Sequence, residues 1–255
     1  MRDYLNWSKL GSIEYSRAKL RDWKYGSKAR LWLCCNPCWF RATQLVDISA
    51  KSNNPAFVYG TAPVGAWGFN AGSDAARVRW PHDYGANGYL TILAQVKRTG
   101  GATNQTVVCK GWTGQSYNFG MAIKSGALVF INSNKDYPLG AEAGIDTLAS
   151  YAIVCDGGTT YGYLDGHLIG STANGTTASP YAWLDVGDRP YSSVYLPFQG
   201  NIAFVAVLDG CLPESEIARL TADPFYPIAQ SPKEYFYGAV SPVIVPLFDV
   251  VQEAI

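Results

Sequence analysis

The segment SYAIVCDGGTTYGYLDGHLIGSTA, residues 150–173, constrains the chain more than any other. It holds three runs of strand-forming residues, 151–155, 161–164 and 167–171, separated by Asp156-Gly157-Gly158 and Asp165-Gly166. An Asp-Gly pair between two such runs predicts a type I′ hairpin, because both central residues of that turn need positive φ, which Asp and Gly reach cheaply. A two-residue loop then fixes the register, with Leu164 facing His167 and Tyr163 facing Leu168. A chain that commits to this meander folds as antiparallel sheet.

The rest of the chain agrees with that commitment. Residues 85–96 alternate, with Leu90, Ile92, Ala94 and Val96 on one side and Tyr89, Thr91 and Gln95 on the other, the pattern of a half-buried strand. Residues 57–59, 77–80, 106–109 and 183–186 are further strands, and 29–40 holds the first, turning at Asn36-Pro37. Residues 117–123 and 127–131 form a second hairpin about Lys124-Ser125-Gly126, followed by a long loop over 132–149. One helix is predicted, over 213–222: Pro213 suits the first helical position, Glu214 and Glu216 suit the positive end of the dipole, Ile217 and Leu220 share a face, and Pro224 stops it. Charged residues make up only 16% of the chain, against about a quarter in an average domain. The expected architecture is all-β: a jelly-roll β-sandwich of two antiparallel sheets with one short C-terminal helix.

Net charge is zero but unevenly spread. Residues 1–51 carry ten Lys and Arg against four acids, and the remainder is correspondingly acidic. Three parts follow: a basic, aromatic N-terminal arm over 1–28, a sandwich over 29–229, and an apolar C-terminal tail over 230–255. The arm fits neither a clean helix nor a clean strand. Trp, Tyr and Arg are the residues of interface anchors, so Trp7, Arg17, Lys19, Arg21, Trp23 and Lys24, with Tyr235 and Phe236 of the tail, are candidate anchoring residues. An equal reading is that the arm's aromatics pack under the sandwich. Binding of single-stranded nucleic acid ranks below both, because the basic residues are diluted by acids.

No apolar leader stands at the N-terminus, so the chain is expected to stay in a cytoplasm with its thiols reduced. The long apolar run 239–251 contains Pro242, Pro246 and Asp249 and falls short of the ~20 residues of a membrane helix, so no membrane partner is expected. The matches to Asn-X-Ser/Thr at Asn6, Asn104 and Asn174 then carry no meaning. Cys34, Cys35 and Cys38 lack a second pair of ligands for zinc and read as buried thiols, as do Cys109 and Cys155.

The central hairpins also carry a resemblance. The order "apolar run, Asp-Gly-Gly, alternating aromatics, Asp-Gly, apolar, Gly-Ser-Thr" resembles laminin-G-like domains of the concanavalin A-like lectin and glucanase superfamily. LVDISAKSNNPAFVYG (residues 45–60), AWGFNAGSDAARVRW (66–80) and QGNIAFVAVLDGCLPESEIARL (199–220) are similar to that family's other segments, in family order. ESEIARLTADPFYPIA (214–229) is similar to the end of such domains encoded by tailed bacteriophages. The resemblance implies a non-enzymatic structural protein of a bacteriophage virion, assembled in the host cytoplasm. It would serve as a head decoration, fibre or tail component anchored by its terminal segments to other virion proteins, and self-association is an option. The alternative is a carbohydrate-binding or host-receptor-binding protein, and a polysaccharide hydrolase ranks third.

Glycoside cleavage needs paired carboxylates, and the Glu-X-Asp-X-X-Glu strand of glucanases with this fold is absent. His82 and His167 read as surface residues. Exposed aromatics bordered by amides and carboxylates suit sugars, which makes Trp112, Tyr117, Tyr137, Tyr191 and Asp188 candidate glycan-binding residues; each ring has core capping as its alternative. The family often holds calcium at the sandwich rim, which would involve Asp156 or Asp165, though turn formation explains both acids better. No cofactor is otherwise implied.

Overall fold

The computed structural model describes residues 13–34, 46–49, 57–59, 64–65, 68–70, 77–81, 88–111, 119–133, 135–173, 183–188 and 196–228. Among them are helix α1 (Ile13–Asp22) and strands β1 (Ala29–Cys34), β2 (Val46–Asp47), β3 (Phe57–Tyr59), β4 (Val64–Gly65), β5 (Gly68–Asn70) and β6 (Arg77–Pro81). There follow β7 (Tyr89–Arg98), β8 (Asn104–Lys110), β9 (Phe119–Lys124), β10 (Ala127–Asn132), β11 (Lys135–Ala141), β12 (Leu148–Asp156), β13 (Thr160–Leu164) and β14 (His167–Thr172). The last are β15 (Trp183–Val186), β16 (Leu196–Pro197), β17 (Gly200–Asp209) and helix α2 (Glu214–Ala222). A nine-stranded sheet runs β14-β13-β12-β7-β17-β1-β2 with β4 and β5 at its side; an eight-stranded sheet runs β11-β10-β9-β8-β15-β6-β3 with β16 beside β8. All pairings are antiparallel except the short β16–β8 contact. This is the jelly-roll sandwich the sequence predicts.

Turn chemistry sets the registers. Asp165 and Gly166 take φ of 50° and 86°, and Tyr163 pairs with Leu168 and Leu164 with His167, as the two-residue loop requires. Ser125 and Gly126 do the same between β9 and β10, at φ of 48° and 82°. With registers fixed, alternate side chains meet between the sheets. Leu90, Ile92, Ala94 and Val96 of β7 join Ile153 and Tyr151 of β12, Val205 and Val207 of β17, and Phe119, Met121, Phe130 and Val186 of the facing sheet in one buried core.

Three expectations change. First, β7 is buried on both sides, not one: Thr91, Leu93 and Gln95 lie under 9% exposed because helices cover that face. The polar ones are used there. Thr91 Oγ1 donates to Gly210 O (2.7 Å) and accepts from Leu212 N (3.1 Å), and Gln95 donates to Ser150 Oγ, which donates to Thr221 O (2.9 Å) in α2. Second, the 132–149 loop contains β11, which the bulge opposite Leu128 and Val129 accommodates despite Pro138 and Gly140. Third, the described residues hold two α-helices, since residues 13–22 of the expected arm are helical. Pro213 sits at the N-cap of α2, one place before the first helical residue.

The two helices and the segment after α2 build a second apolar layer on the nine-stranded sheet. Leu20, Trp32, Leu93, Val154, Phe204, Ile217, Leu220, Phe225 and Ile228 are buried in it. Its rings meet edge to face: Trp23 with Trp32 at 5.4 Å, Trp32 with Phe204 at 5.3 Å and Phe204 with Phe225 at 5.7 Å. Trp23 Nε1 donates to Tyr226 Oη (3.0 Å), whose hydroxyl donates to Glu216, while Arg219 lies over the Tyr226 ring. Burial pushes the Tyr226 phenol well up, and the Glu216 carboxylate adds to this. The two sheets also close on each other along one flank. A Cβ on Gly170 of β14 would lie 2.0 Å from Leu139 O of β11, so only glycine permits the approach.

Candidate functional site

Of the sequence-predicted glycan residues, Tyr137 and Asp188 fall within the described residues. Trp112, Tyr117 and Tyr191 lie outside the described residues, as do Trp7, Tyr235, Phe236, His82, Cys35 and Cys38. Tyr137 is paired with Phe130 on β11 and packs against the inter-sheet core, so it caps the core. Asp188 is only 6% exposed. Of the anchor candidates, Arg21 and Lys24 are exposed, Lys19 is half-buried and Trp23 is turned against Trp32 and Tyr226; nothing is described of the Arg17 side chain. Packing under the sandwich therefore accounts for Leu20 and Trp23.

Asp156 and Asp165 work as turn formers. Asp156 Oδ1 accepts the N–H groups of Thr159 (2.7 Å) and Gly158 (3.1 Å), and Oδ2 accepts from the Tyr161 hydroxyl. The bonds from Thr159 and Gly158 hold its carboxyl below the usual carboxylate range. Asp165 Oδ1 accepts Ser150 N–H (3.0 Å). No group of three His, Cys, Asp or Glu that could hold a metal occurs among the described residues. His167 is exposed, as expected.

The outward face of the eight-stranded sheet holds a better candidate, which sequence reasoning missed. On β15, Leu184 and Val186 point into the core, which turns Trp183 and Asp185 outward. Arg79 of β6 stands directly opposite Asp185 and diagonal to Trp183, within the reach of cross-strand neighbours. Arg79 Nε donates to Asp185 Oδ1 (2.8 Å) and Nη2 to Oδ2 (3.2 Å), a two-pronged pair whose carboxylate is 2% exposed. The guanidinium carbon lies 5.9 Å from the Trp183 ring centroid, and Trp183 keeps 37% of its surface in solvent. Asp185 thus locks the arginine, and the arginine supports the ring. An aromatic in a four-residue strand reads as core from sequence; the signal was that Leu184 and Val186 leave Trp183 on the other face.

Elsewhere among the described residues, several reactive groups are already committed. Glu142 is paired with Arg98, and burial raises its pKa against the pull of that arginine. Cys155 is buried and its thiol pushed up to about 12 by desolvation, and burial raises Cys211 too, so both stay protonated and poorly nucleophilic. The described carboxylates Glu142, Asp156, Asp185 and Glu216 each have a hydrogen-bonded partner within the fold.

Several solved structures are similar to this one. Domain 4 of AbnA, a GH43 extracellular arabinanase from Geobacillus stearothermophilus solved with arabinotriose, matches at a TM-score of 0.58 and 16% identity, covering 76% of this chain and 99% of that one. The botulinum neurotoxin serotype D binding domain matches at 0.58 and 12% identity, covering 77% of this chain and 52% of that one. The binding domain of Paraclostridial Mosquitocidal Protein 1 matches at 0.57 and 12%, covering 78% and 52%. The chain thus spans about half the length of these toxin domains. At such identities the likeness is one of fold. No curated protein matches by sequence. A laminin-G family model, described as concanavalin A-like lectin/glucanases superfamily, matches residues 47–218, well over half of the chain. The chain therefore belongs to the concanavalin A-like lectin/glucanases superfamily.

Proposed function

We propose that the protein is a non-catalytic lectin-like binding module whose carbohydrate contact is centred on Trp183. The exposed ring carries this reading. It projects from a rigid strand, braced by a guanidinium that is itself fixed, and such a plane can stack on the apolar face of a sugar ring without being ordered first. The arabinotriose complex of the arabinanase domain supports it by analogy of fold. Engagement of Glu142, Asp156, Asp185 and Glu216 within the fold supports a binding role over hydrolysis. In titration calorimetry against a panel of plant, bacterial and animal oligosaccharides, at least one is expected to bind, and Trp183→Ala is expected to weaken it roughly tenfold or more. Equal binding by the variant would remove the site, and release of reducing ends would restore the hydrolase reading.

The segment 214–229 favours a second reading, because it is similar to the end of phage-encoded laminin-G-like domains. In this reading the module is displayed on a bacteriophage particle as a head decoration, fibre or tail component, with other virion proteins as partners and host surface glycan as the ligand. Its test is mass spectrometry of purified particles. Anchor deletions have to stop before Ile13, because Leu20 and Trp23 belong to the sandwich.

A further inference from the structure

Building on the reading of the Trp183 face as a carbohydrate contact, we infer that its ligand is an uncharged glycan and that Asp185 sets this preference by cancelling Arg79. An arginine beside an exposed aromatic ring would otherwise suit an acidic sugar, since the guanidinium binds carboxylates through two parallel hydrogen bonds. Here the Nε and Nη2 edge that makes such a fork is already given to the two oxygens of Asp185. A sugar carboxylate approaching Trp183 would meet a neutral ion pair, and its own charge would be repelled by Asp185.

The surrounding face is balanced in the same way. Next to Asp185 in its row across the sheet come Cys109, Gly120 and Ile131, all buried and none of them charged, and then Asp136, which is paired with Lys124. Lys110, the described cation on β8, pairs with Leu184 and Phe119 on the core side, facing away from Trp183. Among the described side chains, the outward cations each stand against an acid. What stands beside Trp183 among the described side chains is a fixed dipole without net charge, which matches the hydroxyls and C–H faces of a neutral pyranose or furanose.

The test compares neutral oligosaccharides with sialylated or uronate-bearing ones of equal length, by calorimetry at low and high salt. The wild-type protein is expected to bind the neutral set at least as tightly as the acidic set, with an affinity that changes less than about twofold with salt. A preference of about tenfold for acidic sugars that collapses in salt, and that Trp183→Ala abolishes, would overturn the inference and leave the Trp183 reading standing. Failure of every sugar to bind, or binding indifferent to Trp183→Ala, would overturn both. Asp185→Asn is expected to raise affinity for uronate-bearing sugars roughly tenfold, salt-dependently, and Arg79→Gln in that background is expected to remove the gain. A folded Asp185→Asn protein without the gain counts against the inference. If that variant does not fold, the salt and charge profile of the wild type decides alone.

Discussion

On the nine-stranded sheet the outward face carries Trp32 and Phe204 beneath two helices, with Phe225 and Ile228 closing over them, all buried. The described outward face of the eight-stranded sheet carries the buried apolar pair Ala122 and Ile131, two ion pairs, and one tryptophan that is more than a third exposed. The same residue type does opposite work on the two faces. Trp32 is wholly buried, whereas Trp183 lies beside Arg79 and stays more than a third exposed. The rings of Trp32 and Phe204 are buried where the helices cover them, and Trp183 on the other face keeps 37% of its surface in solvent.

That contrast can be broken by experiment. Trp32→Ala or Phe204→Ala is expected to cost about 3–5 kcal/mol in denaturant unfolding, the range for large aromatics removed from a core; a loss under about 1 kcal/mol would mean that the helical layer is not part of the cooperative unit. Asp165→Val puts a β-branched residue at φ 50° and removes the acceptor for Ser150 N–H, and is expected to cost about 2 kcal/mol by the same assay. Trp23→Phe keeps the ring and loses the bond to Tyr226, for about 1 kcal/mol. Trp183→Ala, on the other face, is expected to change stability by less than about 0.5 kcal/mol while weakening ligand binding roughly tenfold or more. A large loss of stability there would make Trp183 a second core residue.

A smaller effect separates two carboxylates. Glu142 has a raised folded pKa, so between its unfolded value of 4.5 and that higher value the folded state holds more protons than the unfolded one, and its contribution to stability falls as pH rises. Asp156, lowered in the fold, contributes oppositely: its part is present above 3.8 and is lost as pH falls through its folded value. Thermal melts across acid pH are expected to show the first slope vanish in Glu142→Gln and the second in Asp156→Asn.

The hairpins were legible because their causes are local. Asp165-Gly166 and Ser125-Gly126 each supply two residues that accept positive φ, and register follows without knowledge of the rest. Helix α1 was not legible, since its buried Ser16 and Leu20 stand among Arg17, Lys19, Arg21 and Asp22 in the sequence, and docking of Leu20 in the cluster around Trp32 settles its conformation. β11 was obscured by Pro138 and Gly140, which a bulge absorbs. The second face of β7 read as solvent-facing because Thr91 and Gln95 are polar, yet both are spent fastening the lead-in and end of α2. The candidate site was legible only in part. Arg79 and Trp183 are 104 positions apart in sequence, and only strand order brings them together.

The flank where Gly170 meets Leu139 bears on how copies of this protein can associate. Sheet proteins are prone to recruit foreign strands wherever a long rim of unpaired amides lies open. Here β14 and β11, the last strands of their two sheets on that side, are pressed together with no room for even one extra carbon, so an incoming chain finds no slot between them. On the far side of the sandwich the terminal strands among the described residues are only two or three residues long and give a poor template for an added strand.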